Sequence, residues 1–436
     1  MRDPNLNSDN VADQRKPPTP RVVIVGGGFG GLAAAKALRI APVQVILIDR
    51  TNHHLFQPLL YQVATAGLSP GDIAVPIRSQ FANTPNVEVH WGEVTAVDLK
   101  KQIVRSTSPD LEIGYDYLVL ACGAQHSYFG HPEWEEFAPG LKTLEQALEI
   151  RRRILSAFEN AENEVDPEKQ KALLNFVIVG GGPTGVELAG AIADISRSVL
   201  VNDFRRIDPS QAKVILVEML PRLLASFATE LAEKTRQDLT ELGVEVRTSA
   251  RVESIDAEGV QVGGEFIPSK SVFWAAGVQA AKLKIEPRVE MDRAGRIKVK
   301  DDLSLPDYEN VFVVGDMASF EVTPGKFLPG VAPAAMQEGR HAAQVILSSI
   351  RGKARTAFRY NDKGQLATIG KYRAVMESGS WKLTGRLAWL AWLFVHVFYL
   401  IGFKNRVAVM AQWAWSYLFS KRGARLITET EWKLRN

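Results

Sequence analysis

Apolar residues come in short unbroken runs set off by glycine or polar positions, not in one long helical stripe. Val22-Val23-Ile24-Val25, Val45-Ile46-Leu47-Ile48 and Leu118-Val119-Leu120-Ala121 form one set; Phe176-Val177-Ile178-Val179, Val214-Ile215-Leu216-Val217 and Val272-Phe273-Trp274-Ala275 form a second. Runs apolar at every position are the pattern of strands covered on both faces, as in a parallel sheet. Helix-prone stretches separate them, such as Leu32-Ala33-Ala34-Ala35 and the Glu-, Arg-, Leu- and Ala-rich segment from Leu144 to Asn163. That segment is expected to close at Asp166-Pro167. The pattern predicts an α/β chain of two Rossmann-like domains, with Leu118–Gly123 and Val272–Gly277 as equivalent last strands of two βαβ units.

Glycine spacing says what the units bind. The first run leads into Gly26-x-Gly28-x-x-Gly31, with Gly30 inside the motif, and the fourth into Gly180-x-Gly182-x-x-Gly185. In such a fingerprint one Gly makes the tight turn, the next admits a pyrophosphate, and the last lets helix pack on strand. The helix N-terminus then meets the phosphates. Each set has an acid at a later strand end to accept ribose hydroxyls, Asp49 in the first and Glu218 in the second. Glu218 lies far beyond the usual ~20 residues, so an insertion is expected there, a long helix through Ile195 to Phe204. A further apolar strand, Val311 to Val314, ends in Gly315-Asp316. After two fingerprints in this order, the Gly-Asp pair resembles that of the two-dinucleotide flavoproteins, which implies that Asp316 binds a flavin ribitol. FAD then belongs to the first site, with Gly123 beside it, and NADH to the second, with Gly277 beside it. Glu218 would repel a 2′-phosphate, with Arg222 close enough to soften the rejection.

These assignments divide the chain. Residues 1–20 read as a disordered leader, 21–128 as the first part of the FAD domain and 129–284 as an inserted NADH-binding domain. Residues 285–350 complete the FAD domain, and 351–436 form a C-terminal region. The net charge of +3 comes without a Lys/Arg stripe interleaved with aromatics, which excludes a nucleic-acid partner. Cys122 is the single cysteine, so no dithiol can relay electrons and no iron–sulfur cluster can be ligated. It reads as a small buried hydrophobe. The seven His residues show no metal-ligand spacing, and His53-His54 reads as a solvated turn or a feature of the flavin loop.

The C-terminal region departs from the α/β pattern. Leu387 to Phe403 is a run of 17 residues without a formal charge apart from His396, between Arg386 and Lys404. That is just short of the ~20 needed to span a bilayer. Trp389, Trp392, Trp413 and Trp415 accompany it, followed by Lys421, Arg422 and Arg425. Aromatics and cations beside an apolar helix suit a bilayer interface; a dimerisation helix is the alternative. A chain truncated before Leu387, if it folds, is expected to be soluble without detergent and to keep both nucleotide sites.

Family-specific segments lie beyond the fingerprints. They are Phe56-Gln57-Pro58-Leu59-Leu60-Tyr61-Gln62-Val63-Ala64-Thr65, Gly182-Pro183-Thr184-Gly185-Val186-Glu187, Ala335-Met336-Gln337-Glu338-Gly339 and Trp392-x-x-x-His396-x-x-x-Leu400-x-x-x-x-Asn405-Arg406. From Arg21 to about Ile427 the chain resembles the type II, single-subunit NADH:quinone oxidoreductases. The resemblance implies electron transfer from NADH through noncovalent FAD to a membrane quinone, ubiquinone or menaquinone, without proton pumping. It implies three catalytic residues: Glu187 near the nicotinamide, Gln337 as the second Gln of a quinone-site motif whose first position here is Pro333, and Lys371 at the quinone tunnel. It also implies a lipid surface as partner, a homodimer as a further assembly, and a place on the cytoplasmic face of the inner membrane. Attachment there is peripheral or through the helix 387–403. A sensing flavoprotein that binds both nucleotides, or a related quinone reductase, is the rival reading.

Overall fold

The computed structural model describes residues 19–107, 110–419 and 423–427. The expected leader, except for its last two positions, and Lys421 and Arg422 lie outside them.

Two parallel sheets carry the two fingerprints. In the first, the strands run in the order Val311–Val313, Tyr117–Leu120, Arg21–Val25, Gln44–Asp49, Val87–Trp91. In the second the order is Val244–Arg247, Lys213–Val217, Asn175–Val179, Ser271–Trp274. Val25 pairs with Leu120 and Val179 with Trp274, so the strands ending at Gly123 and Gly277 occupy matching positions. Helices cover one face of each sheet and an antiparallel sheet covers the other: Val23 packs with Val97, Val104 and Ile113, and Val177 with Val260, Val262 and Ile267, so Val22, Val23, Ile24, Phe176, Val177 and Ile178 are fully buried.

Each fingerprint helix starts directly at its loop, Phe29–Leu38 after Gly28 and Pro183–Asp194 after Gly182. The chain crosses between the sheets on two connecting strands, Ala124–His126 and Val278–Ala280, which pair antiparallel. Lys284–Glu286 then pairs with Val94–Asp98, returning the chain to the first domain. Helix Ala332–Ile350 packs on Phe29–Leu38 at Gly339, where a Cβ would lie 2.1 Å from the Gly30 carbonyl oxygen.

The C-terminal region begins as an antiparallel sheet, Gln365–Gly370, Arg373–Ser378 and Trp381–Thr384. Its first strand lies against helix Pro183–Asp194 so closely that a Cβ on Gly190 would sit 1.7 Å from the Ile369 carbonyl oxygen. Helices Gly385–Tyr399 and Phe403–Phe419 follow.

Four local expectations are corrected. Helix Leu144–Asn163 ends at Glu164, and Asp166 opens the next helix, Pro167–Leu173, by accepting from the Glu168 amide at 2.9 Å. The insertion before Glu218 is not helical to Phe204: a single π turn, Ile195–Val199, ends the fingerprint helix, and irregular chain follows. Of the two readings of His53-His54 the solvated turn is corrected, because the pair lies in strand His53–Leu55 with His54 buried; His54 instead meets the first fingerprint loop at the Gly27 carbonyl.

The fourth concerns the apolar run. It breaks at Leu400–Gly402, where Gly402 has φ +89° and Arg406 caps the helix end by donating to the Leu400 and Phe398 carbonyls, both at 2.8 Å. Among the described residues no helix is long and apolar enough to cross a membrane. Trp389, Trp392 and Trp413 are buried and only Trp415 of the four is exposed, so most of the aromatic cluster is core, not an interfacial belt. Trp392, Leu400, Val409 and Trp413 share one apolar core with Leu60, Phe158 and Phe176. The tail is therefore part of the body, and truncation before Leu387 is expected to open that core.

Candidate active site

The two nucleotide clefts repeat one geometry. A Cβ on Gly31 would lie 1.8 Å from the Gly26 carbonyl oxygen, and a Cβ on Gly185 would lie 1.8 Å from that of Gly180. Only glycine permits this crossing of helix and strand. Nothing lies within 4 Å of a Cβ placed on Gly28 or Gly182, so each second glycine leaves its loop open to a ligand. The acids match as well. Asp49 accepts from the Gly27 amide and, at 2.6 Å, from that of Thr51. Glu218 accepts from the Gly181 amide and, at 2.7 Å, from that of Leu220. Each carboxylate is thus held at the loop rim, where a ribose would meet it.

The first cleft runs from Gly26–Gly30 and Asp49 past Cys122 and Gly123 to Gly315, Asp316 and the first turn of helix Ala332–Ile350. Its open fingerprint loop, rim carboxylate and helix N-terminus fit an FAD diphosphate and ribose. Burial raises the Cys122 thiol to about 12, so it is not a thiolate nucleophile at neutral pH. Two supports carried no signal in the pattern. His54 donates from Nδ1 to the Gly27 carbonyl at 3.0 Å and meets the Phe29 ring edge-on, bracing the loop; burial lowers it to about 4, so it stays neutral. Lys142 pairs with Asp316 at 3.2 Å, tying the start of helix Leu144–Asn163 to the strand exit. The second cleft runs along Gly180–Gly182, Glu218, Arg222 and Arg251 to Trp274 and Gly277. Arg222 donates to Thr229 Oγ1 at 2.7 Å and to the Ala225 carbonyl at 2.9 Å.

A third cavity lies where the fingerprint helix of the second domain meets the C-terminal region. Glu187, Asp194, Thr368, Lys371, Trp413 and Tyr61 line it. Glu187 is not in the first turn of its helix, so the dipole does not hold it ionised. It turns toward the C-terminal sheet, near the Thr368 amide at 3.4 Å and the Trp392 indole. Burial raises its carboxyl to about 8, so at neutral pH it keeps a proton. Lys371 donates to the Tyr417 carbonyl at 2.9 Å and lies over the rings of Tyr372 and Tyr417. The wall is fastened by Trp413 Nε1, which donates to Gln62 Oε1 at 2.7 Å. His396 stacks on Trp392 at 4.1 Å and is held at about 4 by burial.

Gln337 is not among the residues that line this cavity. Its amide bonds both ways with the Asn361 backbone, 3.0 Å each, pinning the linker to helix Ala332–Ile350. Its neighbour Glu338 is the residue that reaches the flavin loop. It is 1% exposed, and Oε2 accepts from the Gly315 amide at 2.6 Å. The signal for it was present: Glu338 is the one acid on a helix face of small buried residues, between Ala334 and Ala342.

Residues 20–339 match the family model of the pyridine nucleotide-disulphide oxidoreductases, and residues 363–422 match that of the NDH2 C-terminal domain. The Mycobacterium tuberculosis type II NADH:quinone oxidoreductase Ndh is 45% identical over 94% of this chain and 91% of its own. NdhA of the same organism is also 45% identical, over 94% of this chain and 89% of its own. The structure of NDH2 from Plasmodium falciparum in complex with NADH superposes with a TM-score of 0.86 at 20% identity, covering 94% of this chain and 100% of that one. With both nucleotide clefts and the C-terminal domain in place, the chain belongs to the type II NADH:quinone oxidoreductases.

Proposed function

We propose that this protein oxidises NADH in the second cleft and reduces a quinone at the third cavity, through FAD held in the first. The balance is NADH + H⁺ + quinone → NAD⁺ + quinol. FAD supplies the ring that accepts hydride and returns the electron pair. The protein supplies position and charge. Glu218 selects NADH by excluding a 2′-phosphate, and Asp49 and Asp316 hold the flavin nucleotide. Glu187, protonated at neutral pH, offers a proton to a quinone oxygen, while the Lys371 ammonium favours negative charge developing on the headgroup.

The observation that carries this reading is the half-buried Glu187 carboxyl sharing one cavity with Lys371, walled by the segment that matches the NDH2 C-terminal domain.

Delivery of a lipid-soluble substrate follows from the surface. Leu387, Leu390, Phe394 and Phe398 form one exposed stripe at helical spacing, and Phe403, Val407, Met410 and Leu418 form another on the next helix. Two adjacent apolar stripes without a spanning helix fit peripheral docking on a bilayer. A photoreactive short-chain quinone tests the site. Labelling is expected in the peptides holding Tyr61–Thr65, Thr368–Lys371 and Trp413–Tyr417. Labelling confined to the segment around Gln337 would move the quinone elsewhere.

A further inference from the structure

Glu338 is a buried acid that the electron-transfer scheme does not use. Oε2 is committed to the Gly315 amide at 2.6 Å, and Oε1 has no hydrogen-bond partner among the described residues. The residue sits in helix Ala332–Ile350, whose first turn contributes Ala332 and Ala335 to the first cleft, while Gly315 and Asp316 come from the other side. A carboxylate with one oxygen unpaired in this setting is costly, and a neutral carboxyl is far less so. The charges around it point the same way: burial and Asp316 both raise it, to about 8, and only the Gly315 bond opposes them. Tyr360 also feels it from the linker, and Asp316 is itself paired with Lys142. His341, on the same helix, is engaged with the Thr356 carbonyl.

We propose that Glu338 is a positioning residue for the flavin, whose neutral form clamps the Gly315–Asp316 exit to the helix and leaves the positive end of that helix unopposed toward the cofactor. Ionising it places a negative charge beneath the cleft and disfavours electron uptake there. By linkage, electron uptake then draws a proton onto Glu338 wherever it was ionised beforehand. Below about pH 8 the residue is already neutral and adds nothing. Above that pH the equilibrium for electron uptake worsens by about an extra tenfold per pH unit. The inference rests on reading this cleft as the flavin site.

The test is the flavin midpoint potential of the holoenzyme, measured against pH from 6 to 10 in wild type and Glu338→Gln. Wild type is expected to steepen above pH 8; Glu338→Gln, permanently neutral, is expected to follow an unbroken line and lie more positive at high pH. A merely structural role would not move the break. Superimposed curves overturn the proposal. Should the Gln variant release its flavin, wild type decides alone, because a line without a break through pH 8 also overturns it. Asp316→Ala separates the two readings: it is expected to lose FAD, and full retention would mean that the cleft itself is misassigned.

Discussion

Replacing Phe394, Phe398 and Phe403 together by Ser is expected to release the protein from quinone-containing vesicles while preserving turnover with a water-soluble quinone to within about twofold. These rings are 72%, 60% and 83% exposed, so the core loses little by their removal. Burying one such side chain is worth ~1.5–3 kcal/mol, and three together weaken partitioning roughly a thousandfold even at the low end. Vesicle flotation reads the binding, and the ratio of rates with long-chain and soluble quinones reads the consequence. Undiminished flotation would place the membrane contact elsewhere. Truncating the tail would be a poorer test, because it also removes Trp392, Leu400 and Trp413 from the core.

Gly185→Val and Gly31→Val are expected to separate the two nucleotides. Each adds a side chain where a Cβ would already lie 1.8 Å from a carbonyl oxygen of the preceding loop, so the helix must move off its strand. Overpacking of this kind costs ~1–3 kcal/mol and displaces the amides that face the pyrophosphate. The Gly185 variant should purify yellow and be reduced by dithionite, yet lose at least a hundredfold in reduction by NADH. Gly31→Val should purify without flavin. Loss of flavin from the Gly185 variant, with Gly31→Val unaffected, would reverse the assignment of the clefts.

Both clefts were legible because their determinants are local. A fingerprint, its strand and its acid are fixed by steric demands within one βαβ unit, and Gly26, Asp49, Gly180 and Glu218 sit at those places. The tail was harder to read. Leu387 to Phe403 has the hydropathy of one helix, and only the tertiary contacts of Arg406 and the buried Leu400 turn it into two. Its tryptophans look interfacial by composition, yet Trp413 points inward because Gln62, distant in sequence, accepts its N–H. Glu187 could be found by resemblance, but the direction it faces could not. That depends on Gly190 letting the C-terminal sheet approach the helix. Lys142 and His54 act through contacts with no spacing rule, so nothing local marks them.

Stopped-flow comparison of the two half-reactions in wild type and Glu187→Gln tests the central claim most directly. Glu187 carries its proton below about pH 8. Oxidation of the reduced flavin by quinone should therefore slow in wild type as pH rises through 8, while reduction by NADH should not follow that titration. In Glu187→Gln, reduction by NADH should remain near wild type. Its quinone half-reaction should be slower at pH 7 by about a hundredfold, within the range for loss of a general acid, and should show no inflection near pH 8. An unchanged quinone half-reaction, or a defect confined to reduction by NADH, would contradict the account and return Glu187 to the nicotinamide side.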